Sequence, residues 1–319
     1  FDELAGPYYI EPHTKEGTTY ALVASRSDDG IQIIKLHSAP TLTSANYTTS
    51  SGVLSVKGSN LISNEGANND IDVSKLTITG VGSNTHTLTS GDVELTSETG
   101  FSINLNDTDQ LQLSGLLNKD GTSSGAGTTY NITATSGWNP GAGSSPADST
   151  SNAIAVSNVA SPTLTSAAYN GSTGVLALSG NNLPAYHGDN NDIDVSKFTI
   201  TGGYGSSYTL TSSDVELTSS TAASITLNNA DQTSLNSLLN KNGTSSRQET
   251  AYNIAATDRW APGADAFSNS QDLRGNAITV SAIQPTIAIS SDASSLNTEK
   301  TATLTFTLSE SSTDFIASD

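Results

Sequence analysis

Cysteine and methionine are both absent from these 319 residues. Without cysteine there is no disulfide framework of the kind common in eukaryotic secreted domains, and none of the few thiols usual in a cytosolic enzyme. Without methionine the chain does not begin at a start codon, so we expect a processed product or a part of something longer. Charge is also scarce, at 13% of residues, and basic charge most of all. Twelve Lys and Arg face 31 Asp and Glu, for a net charge of −19. Such a chain repels phosphate backbones and anionic headgroups, so neither nucleic acid nor a membrane surface is expected as a partner. It attracts cations, and Ca²⁺ is the abundant hard cation outside cells. No apolar run approaches the roughly 20 residues that span a bilayer, so no membrane insertion is expected, and no signal peptide is visible.

What is present is mostly Ser, Thr, Asn and Gly, arranged twice. The stretch from Pro40 to about Val159 returns from Pro162 to about Ile283, shifted by 122 residues. Gly66 to Lys75, ending Asn-Asn-Asp-Ile-Asp-Val-Ser-Lys, recurs as Gly188 to Lys197. Leu116 to Ser124 recurs as Leu238 to Ser246. A fixed period signals an array of like modules, and about 120 residues suffice for a module to bury its own core. The repeat also acts as an internal control. A residue essential to every module should occur in both copies.

Within each copy, short segments alternate apolar residues with Ser, Thr or Asn, the period of a half-buried strand. In the first copy they begin at Thr41, Gly52, Lys75, Asp92, Phe101, Tyr130 and Asn152. Their number and spacing predict a sandwich of about seven strands. One segment departs from this pattern. Asn106 as N-cap, Asp109 in the first turn, and Leu113, Leu116 and Leu117 on one face predict a short helix ending near Lys119 and Gly121. The second copy keeps Asn228, Asp231, Leu235, Leu238, Leu239, Lys241 and Gly243. We read this helix as sealing one end of the sandwich. Between copies Leu76 becomes Phe198 and Phe101 becomes Ala223, as if one ring replaced the other at constant core volume.

The ends differ from the repeats. Tyr20 to Ser25 and Ile31 to Leu36 flank Asp28-Asp29-Gly30, a hairpin signal. After Pro285, the runs from Thr286 and Thr301 alternate strictly. They read as the opening of a further sandwich or as strands that pair with a neighbouring molecule. The expected domains are therefore 1–38, 39–160, 161–284 and 285–319.

The acidic loops are the foremost candidate site. Asp70 and Asp72 in the first copy, with Asp189, Asp192 and Asp194 in the second, lie among Asn residues that could supply several oxygens to calcium. The alternative is local turn chemistry, in which Asp and Asn bond their own backbone. The spacing is not that of an EF-hand loop. Asp92 and Glu94, with twins Asp214 and Glu216, read as a charged strand edge or a cation site at a module junction. Trp138 and Trp260 precede Pro-Gly pairs. They either plug the module's end or stack on a sugar.

Catalytic signals are weak. Gly121-Thr-Ser-Ser-Gly125 matches a nucleophile elbow by letter, but it follows a helix, and the second copy has Arg247 where Gly125 stands. His13, His37, His86 and His187 occupy unmatched positions, so no base or zinc ligand is shared. No enzyme activity is expected. Asn46, Asn106, Asn131, Asn170 and Asn242 begin Asn-x-Ser/Thr triplets, which this composition produces by chance.

Taken together, Pro40 to Tyr47, Gly52-Val-Leu, the Asn-Asp-Ile-Asp-Val-Ser-Lys block, Leu-Leu-Asn-Lys-x-Gly-Thr-Ser-Ser and Tyr-Asn-Ile with a following Trp resemble the tandem repeats of very large bacterial surface proteins, the RTX-type adhesins. The resemblance covers both repeats, about three quarters of the chain. The N-terminal strand pair resembles a propeller-type repeat, and the tail resembles the start of a bacterial Ig-like domain. The glycine-rich calcium nonapeptides of true RTX blocks are missing. The expected fold, from the strand pattern and the capped segment, is all-β: tandem Ig-like β-sandwich modules, each with one short helix. The resemblance implies an extracellular or cell-surface location and a role in adhesion, matrix or filament. Expected partners are neighbouring modules or copies of the chain in a fibre, and surface glycans. Three functions stay open: a spacer rigidified by calcium, a filament subunit joined by strand donation from the tail, and a carbohydrate-binding module using Trp138 and Trp260.

Overall fold

The computed structural model describes residues 10–15, 18–24, 31–36, 38–143, 145–265, 271–283, 287–293, 295 and 301–308. Among the described residues the fold is all-β in the main, with short strands in several sheets and two α-helices. Two compact units make up the chain, one of Phe1–Gln110 with Lys119–Asn158 and one of Leu111–Asn118 with Val159–Asp319.

In the first unit, β1 (Ile10–Lys15), β2 (Thr18–Ala24) and β3 (Ile31–Leu36) form an antiparallel sheet in that order. The β2–β3 pair closes from Thr19↔Leu36 to Ala24↔Ile31. Strand β1 adds a third member that the sequence reading did not include. The turn expected at Asp28-Asp29-Gly30, and His37, lie outside the described residues.

The first repeat follows as β4 (Thr41–Thr48), β5 (Val53–Ser59), β6 (Leu76–Thr79), β7 (Thr85–Thr87), β8 (Gly100–Asn104), α1 (Asp107–Leu116), β9 (Asn131–Ala134) and β10 (Ile154–Ser157). They form two sheets, ordered β10-β4-β5-β8 and β7-β6-β9. Alternation places Leu42, Ala45 and Tyr47 of β4 inward, with Leu54 and Val56 of β5 and Ile103 of β8. Each such side chain, fully buried, contributes about 1.5–3 kcal/mol before entropy is counted. The run from Asp92 forms no strand; it makes one bridge, Val93 to Ile71.

The second repeat gives β11 (Thr163–Asn170), β12 (Val175–Asn181), β13 (Phe198–Thr201), β14 (Ser207–Thr209), β15 (Ala222–Thr226), α2 (Asn229–Leu238), β16 (Asn253–Ala256) and β17 (Ala277–Ser281). Here the same strands form one ladder, β14-β13-β16-β17-β11-β12-β15. The two halves join through Asn253↔Ala277, where the first repeat has only an isolated Asn131↔Ala153 bridge. Both copies carry a bulge at the same place in their first strand, Leu42/Ser44 and Leu164/Ser166. The Leu76, Phe101, Phe198 and Ala223 side chains are all buried, and the Phe198 ring packs on Trp260 at 5.8 Å.

Helix α2 is capped as its sequence requires. The Asn228 side chain accepts from the Asp231 N–H, and Leu235 and Leu239 enter the core of its unit. In the first copy Asn106 accepts from Asp109 N–H at 2.8 Å. Beyond the second repeat, β18 (Ile287–Ser291) and β19 (Leu304–Leu308) pair antiparallel as a two-stranded sheet.

Candidate functional site

The acidic loops arise because the chain must turn sharply between β5 and β6, and again between β12 and β13. Gly66 and Gly188 turn there at φ 119 and 118. A side chain at Gly66 would meet the Asn69 amide at 2.7 Å, so only glycine fits.

Asp70 and Asp192, four residues after these glycines, are both fully buried. Asp70 accepts the backbone N–H groups of Asn64 and Leu95. Asp192 accepts those of Tyr186 and Leu217. Each carboxylate thus ties its own loop to the segment that carries Val93 or Val215. Burial raises the Asp192 carboxyl above its ordinary value against the pull of those two N–H donors, and the nearby Glu216 charge adds to the rise. The loop is closed from the other side by Asn139, whose amide donates to Asp70 O at 2.8 Å and Ile62 O at 2.7 Å.

Asp72 and Asp194 have a different task. Each caps a single 3₁₀ turn, accepting the N–H and hydroxyl of Ser74 or Ser196. Asp189, the twin of Ala67, is exposed. Asp92 and Asp214 accept from Val73 N and Val195 N, both at 2.9 Å, and so act as loop acceptors. Of the predicted calcium residues, Asp70, Asp72, Asp192 and Asp194 give oxygens to separate N–H and O–H donors, while Asp189 is exposed. Among the described residues no group of three His, Cys, Asp or Glu side chains is placed to hold a metal ion.

A second buried carboxylate sits at the helix start. Asp109 is fully buried. It accepts Thr89 N and Oγ1, Ser90 N and Oγ, and His86 Nε2 at 2.8 Å. Burial pulls its pKa upward, but the donors from His86, Ser90 and Thr89 outweigh that and hold it at about 2. Asp231 repeats the arrangement with Thr211 and Ser212, and Tyr208 Oη takes the histidine's place at 3.0 Å. Its carboxyl is also lowered, with burial opposed by Ser212, Thr211 and Tyr208. The unmatched His86 therefore has a matched function: it and Tyr208 both donate to the same acid.

A third pair was not read from the sequence. Asp148 accepts Leu42 N at 2.8 Å and Thr150 Oγ1 at 2.6 Å. Asp272 accepts Leu164 N at 2.9 Å and Asn276 Nδ2 at 2.8 Å. The repeat period is 122 up to the tryptophan, but these two acids are 124 apart, so a fixed offset does not align them.

No protein-family model matches the chain, and no curated protein matches it.

Trp138 and Trp260 are 0% exposed. This corrects the sugar-stacking reading, because a ring with no accessible face cannot lie against a ligand. Trp138 Nε1 donates to Pro146 O at 3.1 Å, and the tryptophan carbonyls accept Asp72 N and Asp194 N. Both indoles are buried in their modules, and the backbone at each tryptophan fastens the acidic loop. The Gly121 to Gly125 run is a turn, with buried Ser124 Oγ accepting Thr128 N at 3.1 Å. Among the described residues no helix is long and apolar enough to cross a membrane.

Proposed function

We propose that this chain is a load-bearing spacer of an extracellular or cell-surface repeat protein, built of two Ig-like β-sandwich modules. The observation that carries this reading is how each repeat is fastened. Its first and last strands pair in parallel: β4 with β10 from Ala45↔Ile154 to Thr48↔Ser157, and β11 with β17 from Ser166↔Ala277 to Asn170↔Ser281. The chain therefore enters a repeat at one end of this ladder and leaves at the other. Tension along the chain shears the ladder, so its hydrogen bonds must fail together rather than unzip singly. The backbone bonds Ala45 N to Ala153 O, Thr49 N to Ser157 O and Gly171 N to Ser281 O extend the same ladders.

The rest of the molecule fits a part whose work is mechanical. Carboxylates shared by the two copies fasten loops to strands, and rigidity comes from these internal acceptors. The net charge of −19 keeps such chains from collapsing on one another. The test is reach. Displayed between a cell-surface anchor and a terminal tag, the chain should carry the tag clear of the surface layer. Deleting residues 161–284 should cut antibody access to the tag; equal access with and without the repeat would refute a spacer role.

A second reading is assembly through the tail. Pairing of Ile289 with Phe306, and of Ser291 with Leu304, puts Ile287, Ile289, Leu304 and Phe306 on one face of the β18–β19 hairpin. These side chains are 45–61% exposed. An apolar face of this kind favours addition to a neighbouring copy. If so, truncation at Pro285 abolishes polymers seen by sedimentation, and polymers that survive it exclude the reading.

A further inference from the structure

Some differences between the two copies fall where the backbone is left-handed and tolerates few side chains. The β6–β7 turn carries two successive left-handed residues, Gly82 at φ 66 and Ser83 at φ 63. Such a turn asks for Gly or Asn at its first position. The second copy keeps the backbone but places Tyr204 there, at φ 57 and ψ 18. The Tyr204 side chain is 82% exposed, more than any other large apolar residue described.

A second exchange of the same kind lies beside it. Gly127, at φ 86, is replaced by Glu249 at φ 61. The scaffold is unchanged, since Gly127 N donates to Ser124 O and Glu249 N donates to Ser246 O, both at 3.0 Å. Gly125 and Ala126 have meanwhile become Arg247 and Gln248. The two loops touch. A side chain at Gly203, next to Tyr204, would meet Asn240 Nδ2 at 3.0 Å and Gln248 Oε1 at 3.3 Å. Asn240 holds the loop in place, accepting Arg247 N at 3.1 Å and donating to Gln248 at 3.4 Å. Left-handed side chains replace glycine once more, at Arg259 for Gly137, and the reverse exchange occurs once, at Ser83 for Gly205. Only the Tyr204 and Glu249 exchanges lie on loops shown to touch.

We propose that Tyr204, with Asn240, Arg247, Gln248 and Glu249, is a binding site for a neutral polysaccharide, present in the second repeat and missing from the first. A glycine-compatible turn that carries tyrosine instead spends stability on presenting a ring to solvent. The ring supplies a flat apolar face, and its neighbours in the turn are Gly203, Gly205 and Ser206, which leave it uncrowded. The Asn240 and Gln248 amides beside the turn, on a loop that also carries Arg247 and Glu249, offer both donors and acceptors, which is what hydroxyl-rich ligands require. The Arg247 and Glu249 charges offset each other, and the strongly negative chain disfavours polyanions. A protein partner would need a broader apolar centre than one ring.

The test is native affinity electrophoresis of the full chain in gels containing xyloglucan, galactomannan or dextran, with dextran sulfate as the anionic control. The expected result is retardation by at least one neutral polymer. Tyr204→Gly should weaken it at least tenfold while leaving the thermal melt unchanged or raised, because glycine is relaxed at that φ. Gln248→Ala, which removes the Asn240 Nδ2 contact but keeps the Arg247 N–H bond to Asn240, should weaken it severalfold. Transferring the set to the first copy, as Gly82→Tyr with Gly125→Arg, Ala126→Gln and Gly127→Glu, should increase retardation. No retardation by any neutral polymer, retardation by dextran sulfate alone, or undiminished binding by folded Tyr204→Gly would each overturn the proposal.

Discussion

Asp109 shows how much one side chain can fasten. Its two oxygens gather the turn at Thr89 and Ser90, a ring nitrogen from His86 and the first turn of α1. Asp109→Asn puts an amide N–H₂ against N–H donors, so about 2–4 kcal/mol of stability should be lost. In a Trp260→Phe background, Trp138 fluorescence during urea unfolding reads this loss in the first repeat. The pH dependence has a definite sign. Asp109 is held at about 2 in the folded state, below its unfolded value of about 3.9, so its contribution is complete above about pH 4 and disappears as pH falls toward 2. That contribution is on the order of 2 kcal/mol. Asp109→Asn should flatten the Trp138-monitored acid transition in that window; an unchanged slope would remove the carboxylate from the account. The helix and its Asn106 cap were legible because capping is local. The partners of Asp109 were not, because Thr89 and Ser90 lie about 20 positions away and the exchange of His86 for Tyr208 hides the shared function.

At the scale of elements, buried and half-buried acids decide where strands begin and stop. Asp148 and Asp272 each hold the N–H of a first-strand leucine, Leu42 or Leu164. Asp272→Ala leaves Leu164 N–H without that acceptor and should cost about 1–3 kcal/mol, measured through Trp260 in a Trp138→Phe background. Alternation correctly marked β4, β5, β8 and β10 because each has one face inside. It failed at the Asp92 run, where Asp70 takes the Leu95 N–H that a sheet neighbour would otherwise bond. It passed over β7 because Thr85-His86-Thr87 has no apolar member to alternate. The acidic loops were legible as turns rich in Asp and Asn, but which oxygen serves which donor depends on the returning segment. Those donors lead to a further expectation: millimolar EDTA or added Ca²⁺ leaves the thermal midpoint of the chain unchanged within about 1 °C by calorimetry, since a ligand must bind the folded state to raise it. A calcium-dependent rise of several degrees would reinstate the ion.

For the whole molecule, the account depends on each repeat being closed by its own parallel clasp and resisting tension by itself. The period was legible from sequence, since Gly66 to Lys75 and Gly188 to Lys197 nearly coincide. The clasp was not, because it joins Ala45 to Ile154, more than 100 residues apart, and periodicity cannot tell which strands pair or in which direction. Single-molecule force spectroscopy on the full chain, pulled from its two ends, tests this most directly. Two separate high-force events are predicted, each releasing the length of one repeat, roughly 120 residues at about 3.5 Å each, or about 400 Å less the folded span. A single event of twice that length, or extension without a force peak, would contradict it.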